Sequence, residues 1–115
     1  MTRLSAAEFA ARRHLIGLTL DQLADVLHVN RRTVRSWEQG RMPIPERITD
    51  ELNELITQHD QLLERILGSD VPVYLPRRAG DAQGMPGGWY VAAAARAVAI
   101  QPLTELEWLT DADGA

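Results

Sequence analysis

A short predicted helix, residues 31–39, presents polar side chains that can bind nucleic acid. Its outward-facing members are Arg31, Arg32, Arg35 and Ser36. Val34 and Trp37, three residues apart, point to the opposite side and predict a buried seam. A guanidinium can donate two parallel hydrogen bonds to guanine, and a helix of this kind fits the major groove of DNA. The pattern therefore predicts base contacts by the four outward-facing residues.

Five polar residues around this helix are predicted to contact the phosphate backbone of DNA. They are Thr19, Gln22, Asn30, Thr33 and Arg41. Thr19 and Asn30 stand at the starts of two successive predicted helices, where backbone N–H groups can bind phosphate. Contacts of this type position a protein on DNA without reading its sequence.

Residues 18–40 are predicted to form two short helices joined by a tight turn. Thr19 and Gln22 have the spacing of a capping box, which fixes the start of the first helix. Asn30 is placed to cap the second helix, and Gly40 is placed to end it. The apolar side of the first helix carries Leu20, Leu23, Ala24 and Leu27.

This segment resembles the helix-turn-helix of the Cro/lambda-repressor class, also called the XRE class. The residues that carry the resemblance are Leu23, Ala24, Val34 and the ending Trp37-Glu38-Gln39-Gly40, followed by Pro43. His28 stands where such domains usually have glycine, and histidine adopts the left-handed conformation at modest cost. The resemblance implies binding of double-stranded DNA, with the helix over residues 31–39 in the major groove.

A separate capped helix is predicted before this segment. Ser5 and Glu8 have the spacing of a capping box for a helix over residues 6–16. Arg12 and Arg13 fall on its outer side. The resemblance implies that both lie near the DNA backbone.

A long helix and a smaller mixed element are predicted after it. Residues 45–67 favour a helix, which Gly68 ends, and residues 71–75 alternate as a short strand. An alanine-rich helix is predicted over residues 89–100. Residues 103–109 fit either an alternating strand or a final helical turn, and both alternatives remain open.

This order of elements resembles a narrower family, the anti-CRISPR-associated autorepressors and their bacterial YdiL-like relatives. The resemblance implies that the strand, the glycine-rich loop over residues 77–88 and the alanine-rich helix form a dimerisation element. The residues predicted for its interface are Trp89, Tyr90, Ala93 and Val98. For Trp89 and Tyr90, burial in the core remains an alternative.

The predicted fold class is mainly α: a lambda-repressor-like helix-turn-helix bundle with a long connecting helix and a small α+β C-terminal dimerisation element. The DNA-binding domain is assigned to residues 1–68, including the long helix over 45–67. The dimerisation element covers residues 69–110, and residues 111–115 form a tail.

Composition limits the possible functions. The net charge is −4, but residues 1–50 contain eight arginines and only six acidic residues, which predicts a weakly basic face on the first half. The chain has no cysteine, which excludes disulfides and thiol chemistry. No apolar run approaches the ~18 residues of a membrane span. Without a signal-peptide pattern, we expect a cytoplasmic protein that does not associate with membranes.

No pattern predicts catalysis, a cofactor or a metal site. His14, His28 and His59 fall on separate predicted elements without ligand spacing. No nucleophile neighbours a base, and no phosphate-binding loop follows a strand. We therefore expect a protein that is not an enzyme and binds no cofactor.

The sequence predicts a homodimeric repressor that binds an inverted-repeat DNA operator sequence-specifically and regulates its own gene. Two alternatives remain open. The chain could be an antitoxin whose C-terminal part masks a toxin protein, or a protein–protein adaptor with a degenerate helix-turn-helix. The acidic pI favours the adaptor, whereas Arg31 and Arg32 at the helix start count against it.

Overall fold

The computed structural model describes residues 3–77 and 84–109, which are mainly helical with one small two-stranded sheet. The elements in chain order are α1 (Ala6–Leu15), α2 (Leu20–Leu27), α3 (Arg31–Glu38), α4 (Glu46–Leu67), β1 (Val73–Leu75), α5 (Gly87–Ile100) and β2 (Leu106–Trp108). The chain divides into two compact units, here called the N-terminal unit (Met1–Gln58) and the C-terminal unit (His59–Ala115).

The first two helices begin at the capping boxes that the sequence predicts. The Ser5 hydroxyl accepts from the Glu8 N–H at 3.1 Å, and the Glu8 carboxylate accepts from the Ser5 N–H at 2.8 Å. Thr19 and Gln22 repeat the arrangement at 3.1 and 3.0 Å. The Asn30 side chain accepts from the Arg32 N–H at 2.8 Å and starts α3. The predicted helix starts are therefore confirmed.

The turn between α2 and α3 depends on His28, which adopts the left-handed conformation with φ 58° and ψ 44°. The Val29 N–H donates to the Ala24 carbonyl at 3.0 Å, and the His28 N–H donates to that of Asp25 at 3.3 Å. These two bonds form a Schellman motif, which satisfies the last carbonyls of α2 without a glycine. The predicted role of His28 is confirmed.

The N-terminal unit has an apolar core to which all four of its helices contribute. Its most deeply buried members are Phe9, Ile16, Leu23, Val34, Ile48 and Leu52. Trp37 is also buried, and its ring meets that of Phe9 edge to face with centroids 5.8 Å apart. The predicted inward seam of Val34 and Trp37 on α3 is confirmed, so the opposite side of α3 faces outward.

The prediction that Arg13 lies near a DNA backbone is wrong. Its guanidinium is paired with the Glu38 carboxylate, with Nε–Oε2 at 2.6 Å and Nη2–Oε1 at 3.0 Å. Both side chains are nearly enclosed, with exposures of 11 and 12%. Arg13 Nη1 also donates to the Leu18 carbonyl at 3.0 Å. Arg13 therefore joins α1 to the end of α3 instead of facing a partner.

The C-terminal unit contains β1, α5 and β2 in a β–α–β arrangement. The two strands are parallel, in a register that places Val73 opposite Leu106 and Leu75 opposite Trp108. A parallel pair requires a crossover connection, and here that connection contains α5. Of the two alternatives for residues 103–109, the strand is confirmed, because β2 lies within them.

One side of α5 packs against the last part of α4. Ala93 and Ala97 form a buried cluster with Leu63 and Ile66. The small alanine side chains let the two helix backbones approach closely. Because this packing binds the end of α4 to the C-terminal unit, the compact units divide at residue 58, ten residues before the domain boundary predicted at residue 68.

Two residues predicted for a dimer interface are instead buried inside the chain. Trp89 is 4% exposed and Ala93 is fully buried. Trp89 packs edge to face on the ring of His59, with centroids 4.7 Å apart, and Ala93 contributes to the cluster with α4. Their assignment to an interface is therefore corrected to the core. Tyr90 and Val98 are partly exposed.

Parts of two predictions fall outside the described residues. They are residues 78–83 of the predicted glycine-rich loop and the predicted tail at 111–115. Among the residues that the structure describes, no helix combines the length and apolar character needed to cross a membrane.

Candidate nucleic-acid interface

The outer side of α3 carries the residues predicted to read bases. Arg31, Arg32 and Arg35 are exposed, and Ser36 is half-buried. They occupy the first two turns of a helix whose other side is fixed in the core by Val34 and Trp37. The structure thus brings three guanidinium groups to one exposed surface on a rigid support.

The residues predicted to contact phosphate lie around the same helix. Asn30 and Arg41 are exposed at its two ends, and Thr33 is half-buried on its first turn. The Arg41 N–H donates to the Ser36 carbonyl at 2.9 Å, which fixes the backbone there. Arg41 is therefore held next to the C-terminal end of α3, with its side chain in solvent.

The predicted phosphate contact at the Thr19 N–H needs correction. This N–H donates to Gln22 Oε1 at 3.0 Å, so the closed capping box already satisfies it. Gln22 keeps its amide nitrogen, Nε2, which has no hydrogen-bond partner among the residues that the structure describes. At this helix start, the available donor is the Gln22 side chain instead of the Thr19 backbone.

An ion pair distinguishes Arg31 from the other arginines of α3. Arg31 Nε lies 2.6 Å from Asp21 Oδ1, and both side chains are exposed, at 54 and 69%. Arg32 and Arg35 have no acidic partner within 4.0 Å in the described part of the chain. On α3, the Arg31 guanidinium is therefore in an ion pair, whereas those of Arg32 and Arg35 have no acidic partner among the described residues.

Two functional relationships were not visible in the sequence. Asp21 lies ten residues from Arg31 and Glu38 lies 25 residues from Arg13, which is outside the range of local helix rules. From the sequence alone, Asp21 and Glu38 are acidic residues on predicted helices, and nothing predicts their ion-pair partners. The ending Trp37-Glu38 is the one signal that could have drawn attention to Glu38.

Within residues 3–77 and 84–109, no group of three or more histidine, cysteine, aspartate or glutamate side chains is placed to hold a metal ion. His59 is fully buried in the C-terminal unit. Its Nε2 lies 2.9 Å from the Trp89 carbonyl, and its Nδ1 lies 2.8 Å from Arg96 Nη1. Both ring nitrogens thus have partners within the chain, which gives His59 a structural role.

Comparison with known proteins identifies the family of the chain. No curated protein is significantly similar to the chain. The Aca2/YdiL-like family model matches residues 4–82, which include all of α1 to α4 and β1. This match covers more than half of the chain and includes the exposed arginines of α3, Arg31, Arg32 and Arg35. The chain belongs to the Aca2/YdiL-like family, whose members are anti-CRISPR-associated regulators of the helix-turn-helix type.

Proposed function

We propose that the chain is a homodimeric transcriptional repressor of the Cro/lambda-repressor (XRE) class that binds an inverted-repeat DNA operator. The observation that carries this proposal is the outer side of α3, where Arg31, Arg32 and Arg35 are exposed opposite the buried Val34 and Trp37. A helix supported in this way can enter the major groove with its N-terminal residues on base edges. The dimer would repress by covering a promoter, its own in the simplest case, and excluding polymerase.

Contacts to the DNA backbone would come from residues around α3. Arg41 supplies a charge, Asn30 and Thr33 supply polar side chains, and Gln22 supplies its amide nitrogen. With a net charge of −4, the chain has little long-range attraction for DNA. Binding should therefore depend on base contacts more than on phosphate neutralisation.

The proposed homodimer is supported by an apolar groove in the C-terminal unit. The groove has a volume of about 490 Å³ and is lined by Leu75, Val91, Ala94, Ala95, Leu106, Glu107 and Trp108. Val91 and Trp108 remain exposed at 37 and 46%. Such apolar surface is typical of a protein interface. A second copy of the chain is the partner that an inverted-repeat operator requires.

The first experiment measures binding of the chain to the duplex upstream of its own gene and to a scrambled duplex, by fluorescence anisotropy across a salt series. We expect at least ~10³-fold tighter binding to the native duplex, with a shallow salt dependence. Binding to neither duplex at low salt would refute the repressor proposal and leave the protein–protein adaptor. A second protein that co-purifies with the chain and releases it from DNA would indicate an antitoxin.

Base readout predicts a selective effect of Arg32→Ala. Losing a bidentate contact to guanine should weaken binding to the native duplex by about 1–3 kcal/mol and relax the preference at one base position. Arg47→Ala is the matched control, because Arg47 is an exposed arginine of α4 paired with Glu51 and lies outside this surface. Equal losses on native and scrambled duplexes for Arg32→Ala would contradict base readout.

The groove predicts the effect of a charge on self-association. Ala95→Glu places a carboxylate in the groove and should weaken the dimer at least tenfold, because burying an unpaired charge is costly. Ala99→Glu is the matched control, since Ala99 is an exposed alanine of α5 that does not line the groove. Sedimentation equilibrium measures both. If Ala95→Glu associates as the wild type does, the groove is not the interface.

A further inference from the structure

We infer that Asp21 is a positioning residue that orients the Arg31 guanidinium for base readout, an inference that rests on the proposed function of α3. The carboxylate of Asp21, in the first turn of α2, lies 2.6 Å from Arg31 Nε. Arg31 is the first residue of α3. The pair therefore links the N-terminal ends of the two helices at the exposed arginine surface.

The geometry of the pair leaves the base-reading edge of Arg31 available. A guanidinium has five N–H donors in a fixed plane. The contact of the Asp21 carboxylate with Nε is an ion pair without hydrogen-bond geometry, so the donors of the two terminal nitrogens, Nη1 and Nη2, remain available for guanine O6 and N7. Because the guanidinium plane is rigid, an electrostatic attraction at Nε also favours one direction of the terminal pair. One carboxylate thus restricts a side chain that is otherwise flexible.

The position of Asp21 on α2 suits an acidic side chain that is free to face Arg31. It lies in the first turn of α2, where the helix dipole favours anions. The capping role at this helix start belongs to Thr19 and Gln22, so the Asp21 carboxylate is not needed for capping. Its carboxylate instead faces the arginine.

The pair is too exposed to contribute much to folding stability, because water screens an exposed ion pair. On DNA the situation differs. Base edges and phosphates displace water around Arg31, and the attraction between Asp21 and Arg31 strengthens as the effective dielectric constant falls. Binding also costs less free energy for ordering the long Arg31 side chain if the free protein already restricts its conformation. Specificity, not stability, is therefore the property that Asp21 should control.

The alternative role for the same ion pair is competition. In that case Asp21 would hold Arg31 away from DNA, and Arg31 would leave it on binding. The two roles predict opposite effects on the operator. Loss of a positioning residue weakens or fails to improve operator binding, whereas loss of a competitor strengthens it.

The test compares Asp21→Asn with Asp25→Asn, since Asp25 is an exposed acid of α2 without an ion pair among the described residues. Both variants remove one negative charge. Fluorescence anisotropy is measured with the duplex upstream of the gene, with a scrambled duplex, and with duplexes carrying single base changes in one half-site. We expect Asp25→Asn to strengthen binding to all duplexes alike. Asp21→Asn should strengthen binding to the scrambled duplex as much as Asp25→Asn does. It should, however, reduce the ratio of the affinities for the native and scrambled duplexes about tenfold.

Two further readouts separate positioning from a structural role. Asp21→Asn should relax the same base position that Arg31→Ala relaxes, and it should have no further effect on the ratio in an Arg31→Ala background. The midpoint of urea unfolding should be unchanged. Together these results would show that Asp21 acts on DNA through Arg31.

Specific outcomes overturn the inference. If Asp21→Asn changes the ratio no more than Asp25→Asn, Asp21 acts only as a charge. If Asp21→Asn strengthens operator binding more than Asp25→Asn does, Asp21 competes with DNA. In both cases wild-type binding remains specific, so the proposed function stands. If the wild type binds neither duplex, the proposed function fails, and this inference fails with it.

Discussion

Removing one partner of the Arg13–Glu38 ion pair is expected to lower the free energy of unfolding by about 3 kcal/mol. The pair is bidentate, and its side chains are only 11 and 12% exposed. In Glu38→Met, the Arg13 charge would remain almost enclosed beside the Leu18 carbonyl at 3.0 Å and the His14 ring nitrogen Nε2 at 3.2 Å, but without its carboxylate. An enclosed charge without its counterion costs far more than the intact pair contributes. Urea unfolding followed by circular dichroism measures the change.

A double-mutant cycle tests whether the loss comes from the pair itself. We expect the double variant Arg13→Met/Glu38→Met to recover much of the loss, with a coupling energy of about 2 kcal/mol or more. The matched control is Arg47 and Glu51, an arginine–glutamate pair at 2.9 Å with exposures of 66 and 40%. Its coupling should be about 0.5 kcal/mol or less. Equal coupling energies in the two cycles would show that enclosure of Arg13 and Glu38 has no energetic effect.

The Arg13–Glu38 pair also gives a physical reason for part of the Trp37-Glu38-Gln39-Gly40 ending. Trp37 packs on Phe9 from α1, and Glu38 binds Arg13 from the same helix. Two consecutive residues thus attach the end of α3 to α1, one through its ring and one through its charge. The start of α3, which carries the exposed arginines, remains outside these contacts. The motif that carries the resemblance therefore anchors the helix on which the exposed arginines lie.

Local sequence rules predicted the helices of the N-terminal unit because short-range bonds determine their ends. Ser5, Thr19, Asn30 and His28 each act on residues two to four positions away, so their roles can be derived without the fold. The outward side of α3 was predictable for a similar reason. Its buried members, three residues apart, determine by helical periodicity which side chains face out.

Contacts between distant residues could not be derived in this way. Arg13 has the same helical position whether it faces DNA or Glu38, and only the approach of α3 decides between them. Trp89 and Ala93 could belong equally to a core or to an interface until α4 was known to cover them. The parallel pairing of β1 with β2 likewise depends on the path of the chain through α5. In each case a pattern predicted burial or charge but not the partner.

His59 shows the same limit most clearly and leads to a prediction about pH. In the sequence it is one of three histidines that lack ligand spacing. In the structure Nε2–H donates to the Trp89 carbonyl at 2.9 Å, and Nδ1 accepts from Arg96 Nη1 at 2.8 Å. Arg96 Nη2 also donates to Asp60 Oδ1 at 2.7 Å. This arrangement requires a neutral ring, because a proton on Nδ1 would face the Arg96 guanidinium.

Burial lowers the pKa of His59 below its ordinary value of 6.5, and the positive charge of Arg96 lowers it further. The hydrogen bond to the Trp89 carbonyl and the charge of Asp60 oppose this shift without reversing it. In the unfolded chain the ring regains its ordinary pKa. Below about pH 6.5 the unfolded state therefore binds more protons than the folded state. The folded state, which holds His59 neutral, therefore has its full stability above about pH 6.5 and loses stability as the pH falls.

We therefore expect the free energy of unfolding to be constant near pH 8 and to decline below pH 6.5, with a slope of at most about 1.4 kcal/mol per pH unit, the limit for one proton. Urea unfolding between pH 5.5 and 8 measures it. This range avoids Glu8, because hydrogen bonds from the Ser5 backbone and hydroxyl lower the pKa of its carboxyl below 4.5. Protonation of the Glu8 carboxyl therefore changes the free energy of unfolding only at more acidic pH.

Two histidine variants identify the source of the slope. His59→Gln removes the titrating group and should leave the free energy of unfolding nearly independent of pH over this range, even if its value is lower throughout. His28→Asn is the control, because His28 is exposed and asparagine also adopts the left-handed conformation of that turn. It should keep the wild-type slope. A slope that survives in His59→Gln, or a wild-type protein that becomes more stable as the pH falls, would show that the folded chain does not hold His59 neutral.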